Sequence, residues 1–352
     1  MKKQIYVLNQ RQEETFDAAG KAMRDVFALL RKRNAKVLWG VPKNCNKLLK
    51  ILDLPYLFLF ILFSVKREDI IFYSIPENYI KIRLVNRLRK RKHYKTACFI
   101  NDLNAFRYDI SQMEEMDEAS KTELEAVKAA DIVLAPNKNT EKMLRKLGVD
   151  GKIIPVSVWD YLMNEKEKTK LREEQQKAET EPKSEIHIAF AGNLNKSEFL
   201  FHMKTPEHIQ FDLWGKLEEE KKAKLPEGCI YHGMLSSEEV PMAVCAAHYG
   251  LVWDGDGADE ISGGLGEYLR YNNSHKCALY LAAGLPVIVW KHSGMAHFVE
   301  EHGCGIKIDR LSDISKQLET ADYQQLKAAA MKVSSGIQEG YYLNRAFDQM
   351  ME

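Results

Sequence analysis

The 352-residue sequence contains no apolar run of the ~20 residues that a bilayer-spanning helix requires. Its greasiest stretch, Leu54 to Val65, is only about a dozen residues long and is interrupted near its start by Pro55. It reads either as a buried helix or as one that faces a membrane. Residues Met1-Lys2-Lys3-Gln4 lead straight into a strand-like run, with no apolar segment and small-residue cleavage site between, so secretion is not expected and a cytoplasmic setting is. A dominant charge is also missing. Lys plus Arg at 51 against Asp plus Glu at 50 leaves +1, so no global field calls for nucleic acid, and any electrostatic function must be local. The six cysteines, Cys45, Cys98, Cys229, Cys245, Cys277 and Cys304, include no pair at the two-residue spacing of metal or redox sites. Most sit beside or inside apolar stretches, as buried free thiols do.

What the chain does have is a repeated change of period. Ile5-Tyr6-Val7-Leu8 reads as a strand, about Glu14 to Arg33 as a helix, and Lys36-Val37-Leu38-Trp39 as a strand again. Asp69 to Tyr73, Thr96 to Ile100 and Asp131 to Ala135 add strands, with a basic helix from Ile80 to Arg91 between the first two. From Asn164 to Glu185 the composition turns to Lys, Glu and Gln, as in a solvated helix or a linker between domains. The rhythm then restarts with Glu185 to Phe190, Phe211 to Trp214, Cys229 to His232, Tyr249 to Trp253 and Leu285 to Val289. Strands alternating with helices imply parallel pairing through crossovers, hence two doubly wound α/β domains. Ligands of such sheets lie outside the carboxyl ends of the strands, so a cleft between the halves is the expected site.

Two stretches could meet an anionic ligand. The strand ending at Phe190 runs into Ala191-Gly192-Asn193-Leu194-Asn195-Lys196, where glycine permits close backbone approach and Lys196 could reach a phosphate. The same composition also makes an ordinary strand-to-helix turn. The second stretch starts with Asp254-Gly255-Asp256-Gly257 and Ser262-Gly263-Gly264-Leu265-Gly266, and delivers a helix beginning at Ser274-His275-Lys276. Free amides and the positive dipole end favour an anion there, and Lys276 adds a full charge. His187 and His232 lie in or beside apolar strands and read as core histidines. Among the tryptophans, Trp253 suits the lining of a cleft, while Trp39, Trp159, Trp214 and Trp290 read as packing. The basic run Lys81, Arg83, Arg87, Arg89, Lys90, Arg91, Lys92 and Lys95 contains no acidic residue. It is either a solvated helix face or a patch for anionic material, including a membrane surface.

Ser274-His275-Lys276, then Tyr280-Leu281-Ala282-Ala283-Gly284-Leu285-Pro286-Val287-Ile288-Val289, then Gly294 and Glu300 to Gly305, resemble the nucleotide-sugar half of GT-B glycosyltransferases. More narrowly, the chain is similar to the bacterial family that contains β-1,6-galactofuranosyltransferases and the glucosyltransferase acting on a GlcNAc-primed adhesin. Phe99-Ile100-Asn101-Asp102, Ala130 to Pro136 and Gly340-Tyr341-Tyr342-Leu343 extend the likeness over most of the chain. One departure is Asn101-Asp102, where the family commonly reads His-Asp, so no role carries over to position 101.

The resemblance implies two Rossmann-like doubly wound domains facing across a cleft. Residues 1–160 would bind the acceptor, 161–185 would link, 186–335 would hold the nucleotide sugar, and 336–352 would return as a helix to the first domain. It implies transfer of a hexosyl unit, galactofuranose or glucose, from a UDP-sugar to a glycan hydroxyl, the acceptor being lipid-linked or on a glycoprotein. Gly192, Asn193 and Lys196 would line the diphosphate loop, Ser274, His275 and Lys276 would hold phosphates, and uracil and ribose would lie near Gly233. No metal is expected, so Asp254-Gly255-Asp256 is not read as a metal-binding Asp-x-Asp. Asp102 is the best-placed base for an inverting transfer, and its other reading is a helix cap or loop-ordering residue. Retention or inversion is left open, as are peripheral membrane contact and a homo-oligomer. The rival readings are a non-catalytic scaffold that chaperones another transferase, and a sugar-nucleotide epimerase of the same architecture.

Overall fold

A computed structural model describes residues 3–8, 18–38, 47–76, 78–108, 116–180 and 184–352. Trp39, Cys45, the start of the helix expected from Glu14 and the Glu181-Pro182-Lys183 portion of the expected linker lie outside these residues. The chain forms two compact units. The first takes residues 1–14, 26–156 and 343–352, and the second takes 15–25 and 157–342.

In the first unit, β1 (Ile5–Val7), α1 (Ala18–Lys32, which belongs to this unit only from Val26), β2 (Lys36–Val37), α2 (Lys47–Ser64), β3 (Ile70–Ile75) and α3 (Tyr79–Lys92) follow in order. After them come β4 (Lys95–Ile100), α4 (Glu118–Lys128), β5 (Ile132–Ala135), α5 (Lys138–Lys146) and β6 (Lys152–Pro155). The strands pair in parallel in the order β2-β1-β3-β4-β5-β6. β3, with every residue buried, and β4, buried from Thr96 onward, are the near-continuous apolar runs that a sheet covered on both faces demands. Helix starts follow side-chain chemistry: Asn78, Asp117 and Asn137 accept from the first free amides of α3, α4 and α5.

The second unit opens with α6 (Glu165–Thr180), β7 (Ile186–Asn193), β8 (Ile209–Lys216), α7 (Glu219–Lys222) and β9 (Cys229–Tyr231). It continues through α8 (Val240–Val244), β10 (Tyr249–Val252), α9 (Gly263–Leu269), α10 (His275–Ala282), β11 (Val287–Trp290) and α11 (Ala296–His302). β12 (Gly305–Ile308), α12 (Ile314–Thr320), α13 (Tyr323–Glu339) and α14 (Tyr341–Met351) complete it, though α14 from Leu343 belongs to the first unit. Its strands pair in parallel in the order β12-β11-β10-β7-β8-β9.

Several expectations shift. The polar stretch from Asn164 takes the helical alternative, but α6 is not free of its surroundings: it belongs to the second unit, where Leu171 is buried and Gln175 donates to the Ala283 carbonyl at 2.9 Å. The apolar helix starts ahead of Leu54, at Lys47, and contains Pro55. It is also not a buried helix, because Phe63, Ile51 and Leu59 are 80%, 69% and 51% exposed. None of the helices among the described residues is long and apolar enough to cross a membrane.

Helix α10 is fixed to its sheet through Tyr280. Its ring covers Gly250 of β10, where a Cβ would collide with the ring carbons, and its hydroxyl accepts from the Ala191 amide of β7 at 2.7 Å. Burial pushes the phenol far above its ordinary pKa, so the group stays neutral. At the other end of the helix, Ser334 and Gln338 of α13 donate to the Ala282 carbonyl at 2.8 and 2.7 Å, supplying partners that a helix C-terminus otherwise lacks. Gly250→Ala is expected to destabilise the second unit by about 1–3 kcal/mol through overpacking. Thermal unfolding followed by circular dichroism checks this, and an unchanged midpoint would contradict the packing described.

Candidate functional site

In the second sheet the strand order reverses between β7 and β10, so the crevice beyond Asn193 and Val252 is the topological switch point where α/β sheets bind ligands. Three glycines keep the neighbouring edge bare. Gly192 pairs with Gly215 across β7 and β8, and Gly215 donates to the Gly233 carbonyl at 2.8 Å. Gly215 has φ +137°, and a Cβ there would overlap the Gly192 carbonyl, so no other residue fits. A Cβ on Gly233 would enter open space, but its φ of +90° also favours glycine.

Lys276, in the first turn of α10, extends over this edge. Its ammonium pairs with both carboxylate oxygens of Asp254, just beyond β10, at 2.9 and 2.8 Å, and lies 5.2 Å from the Phe190 ring centroid. A Cβ on Gly192 would come within 3.1 Å of Lys276 Cε. The structure therefore brings Gly192, Lys276 and Asp254 together at the switch point. Sequence alone does not reveal Asp254 as a partner, because it lies 22 positions before Lys276, across loop and helix. Trp253 does not line a cleft: it is fully buried and its indole donates to the Gly257 carbonyl at 3.0 Å, anchoring the glycine-rich loop.

The other expected residues surround this centre less tightly. Ser274 is the N-cap residue of α10, buried and in extended backbone, and its hydroxyl makes no capping bond to the helix. The His275 ring stacks on Trp159, centroids 6.1 Å apart and planes 18° from parallel. Asn193 and Lys196 are exposed, and no hydrogen bond joins their side chains to α10 among the described residues. The loop between them is held from the β8 side: Lys221 donates to the Asn195 carbonyl and the Glu218 amide donates to Asn195 Oδ1, both at 2.9 Å.

His232 is no core histidine, since it is exposed, and His187 is half-buried. The two flank buried Asp212, each with a ring nitrogen 2.7 Å from a carboxylate oxygen, and Trp214 stacks on His232. Among the described residues no group of His, Cys, Asp and Glu is arranged to hold a metal.

In the first unit Asp102 follows β4, at the carboxyl edge of that sheet. The amides of Asn101 and Asp102 both donate to the Ile75 carbonyl at 3.1 Å, turning the chain sharply. Arg107 stands 3.4 Å from Asp102 Oδ2 and donates to Asn104 at 3.1 Å. Asn104 in turn donates twice to Glu123 of α4, at 2.9 and 3.0 Å. Burial holds the Glu123 carboxyl above its ordinary pKa, Asp102 adds to the rise, and hydrogen bonds from Asn104 and Tyr79 oppose it. Asp102 Oδ1 is enclosed with no hydrogen-bond partner among the described residues, leaving one acceptor oxygen uncommitted.

The model of the glucosyltransferase 3-like N-terminal domain matches residues 4–158, and that of the C-terminal domain matches residues 188–350. The chain is 22% identical to the β-1,6-galactofuranosyltransferase WbbI of Escherichia coli (strain K12) over 351 residues, 99% of this chain and 98% of that protein. It is 27% identical to glucosyltransferase 3 of Streptococcus gordonii over 231 residues, 63% of this chain and 62% of that one. Among solved structures, Anabaena Alr3699/HepE in complex with UDP-glucose superposes with a TM-score of 0.58 at 15% identity, covering 99% of both chains. A structure described as trehalose-6-phosphate from E. coli bound with UDP-2-fluoro glucose gives 0.57 at 11%, again over 99% of both. The chain belongs to the glucosyltransferase 3-like family and carries the GT-B glycosyltransferase fold.

Proposed function

We propose that the protein transfers a hexosyl unit from a UDP-sugar, held by the second unit, to a hydroxyl of a glycan acceptor in cell-surface polysaccharide or glycoprotein assembly. The observation that carries this reading is Lys276 lying over Gly192 at the switch point, in a family of glycosyltransferases. UDP-galactofuranose is the favoured donor, because the relative that matches along the whole chain is a galactofuranosyltransferase; UDP-glucose is the competing one. The acceptor is a glycan that is lipid-linked or carried on a glycoprotein, and the setting is the cytoplasm or the inner face of its membrane.

In this reading Gly192, Asn193 and Lys196 line the diphosphate from the β7 side, Ser274, His275 and Lys276 from the helix side, and uracil and ribose lie near Gly233. An arriving diphosphate competes with Asp254 for the Lys276 ammonium. Asp102 accepts the proton of the acceptor hydroxyl, the oxygen attacks the anomeric carbon, and the bond to the diphosphate breaks with inversion. The electron pair leaves on UDP, whose charge Lys276, Lys196 and the amides at the start of α10 neutralise. No divalent ion is assigned in this reading, the lysines and the helix start neutralising the diphosphate instead.

Three outcomes follow. In isothermal titration, Lys276→Ala is expected to weaken UDP binding about tenfold to a hundredfold, the worth of a charge-assisted hydrogen bond, with ADP and GDP as controls. No nucleotide binding by the wild type would favour a non-catalytic scaffold. Asp102→Asn is expected to lower kcat by about 10²–10⁴ while leaving UDP affinity unchanged, and an undiminished rate would remove Asp102 as the base. Chelation by EDTA is expected to leave transfer unaffected, whereas a loss restored by Mg²⁺ would show that a metal is needed.

A further inference from the structure

Helix α2 carries an apolar surface on its outside as well as its inside. Its inner face, Leu57, Ile61 and half-buried Phe60, packs on the sheet, with Phe60 edge-on to Tyr6 of β1 at 5.6 Å. Its outer face is Ile51, Leu52, Tyr56, Phe58, Leu59, Leu62 and Phe63, recurring at helical spacing over about three and a half turns. A surface helix normally turns polar residues to water, and apolar patches beyond a few hundred Å² are rare on monomers.

Helix α3 runs beside α2 in the same direction, as contacts near both ends show. Asp53 pairs with Lys81 near the starts, and Lys92 donates to the Leu62 carbonyl at 2.6 Å near the ends. The exposed stripe of α3 is Ile80, Arg83, Arg87, Lys90 and Arg91, and the helix contains no acidic residue. None of these four cations has an ion-pair partner among the described residues. An apolar face and an acid-free cationic stripe therefore lie side by side on one unit.

We infer that α2 and α3 form a docking surface for an anionic lipid membrane. The apolar face of α2 would lie in the plane of the interface with Tyr56, Phe58 and Phe63 among the acyl and headgroup boundary, and the α3 stripe would rest on anionic headgroups. Charge complementarity selects this occupant over a second copy of the chain, because a two-fold axis through α2 would bring two cationic stripes to one interface. The inference stands apart from the transfer reaction, since neither helix supplies a residue to the donor site.

Co-sedimentation of the full chain with vesicles tests it. The wild type is expected to pellet with phosphatidylglycerol–phosphatidylcholine vesicles, far less with phosphatidylcholine alone, and less as salt is raised. Arg83→Gln with Arg87→Gln is expected to lower binding to the anionic vesicles roughly fivefold for each charge removed. Leu59→Ser with Phe63→Ser is expected to reduce it tenfold or more. Both positions are exposed, so that variant should keep its UDP affinity and circular dichroism, which separates lost docking from lost folding. A wild type that stays in the supernatant with both vesicles would overturn the inference. So would Arg variants that bind like the wild type, or an oligomer in light scattering that dissociates when Leu59 and Phe63 are replaced.

Discussion

The contact between Tyr280 and the two central strands β7 and β10 sets the geometry on which the proposed donor site depends. A helix beginning at His275 can present Lys276 to the switch point only if its rotation and depth are fixed, and the phenol fixes both. Its ring needs the bare backbone of Gly250, and its hydroxyl needs the amide of Ala191. Moving α10 outward by even an ångström would open a cavity over Gly250 and strand a buried amide, each costing about 1–3 kcal/mol. The capping of the Ala282 and Ala283 carbonyls by Ser334, Gln338 and Gln175 holds the far end of the same helix.

With that helix fixed, the charge on Lys276 is stored against Asp254 rather than left to water. The pair keeps the lysine extended over the glycine edge without committing it, since the diphosphate proposed as its ligand would offer two charges against the single carboxylate. The same logic appears in the first unit, where the chain from Arg107 through Asn104 to Glu123 steadies the loop that carries Asp102. In both places a polar network holds a charged side chain beyond the end of a strand, at the positions proposed for binding and for proton transfer.

The central strands were legible because a parallel sheet buried on both faces requires continuous apolar runs such as Ile70 to Tyr73 and Thr96 to Ile100. The missed strands, Lys152–Pro155 and Gly305–Ile308, are edge strands, where a short segment suffices and proline or glycine is tolerated. Gly192 and Lys276 could be named as candidates from local turn and helix-start chemistry. The pairing of Lys276 with Asp254, and the alignment of Gly215 with Gly192, depend on strand order and register, which no local pattern encodes. The exposed outer face of α2 was hidden for a different reason: an all-apolar sequence does not say which of its sides is covered.

The last ten residues are grouped with the first unit. Phe347 sits edge-on to Phe72 of β3 at 6.1 Å, Asp348 pairs with Arg33 at 2.8 Å, and Lys152 donates to the Gln349 carbonyl at 2.5 Å. The core of the first unit is thus closed by a segment that leaves the ribosome only after the whole second unit has been made. Domains of a growing chain ordinarily fold in order of synthesis. Here the half begun first is finished last, and until synthesis reaches Phe347 the nascent chain must carry that half with an open seam.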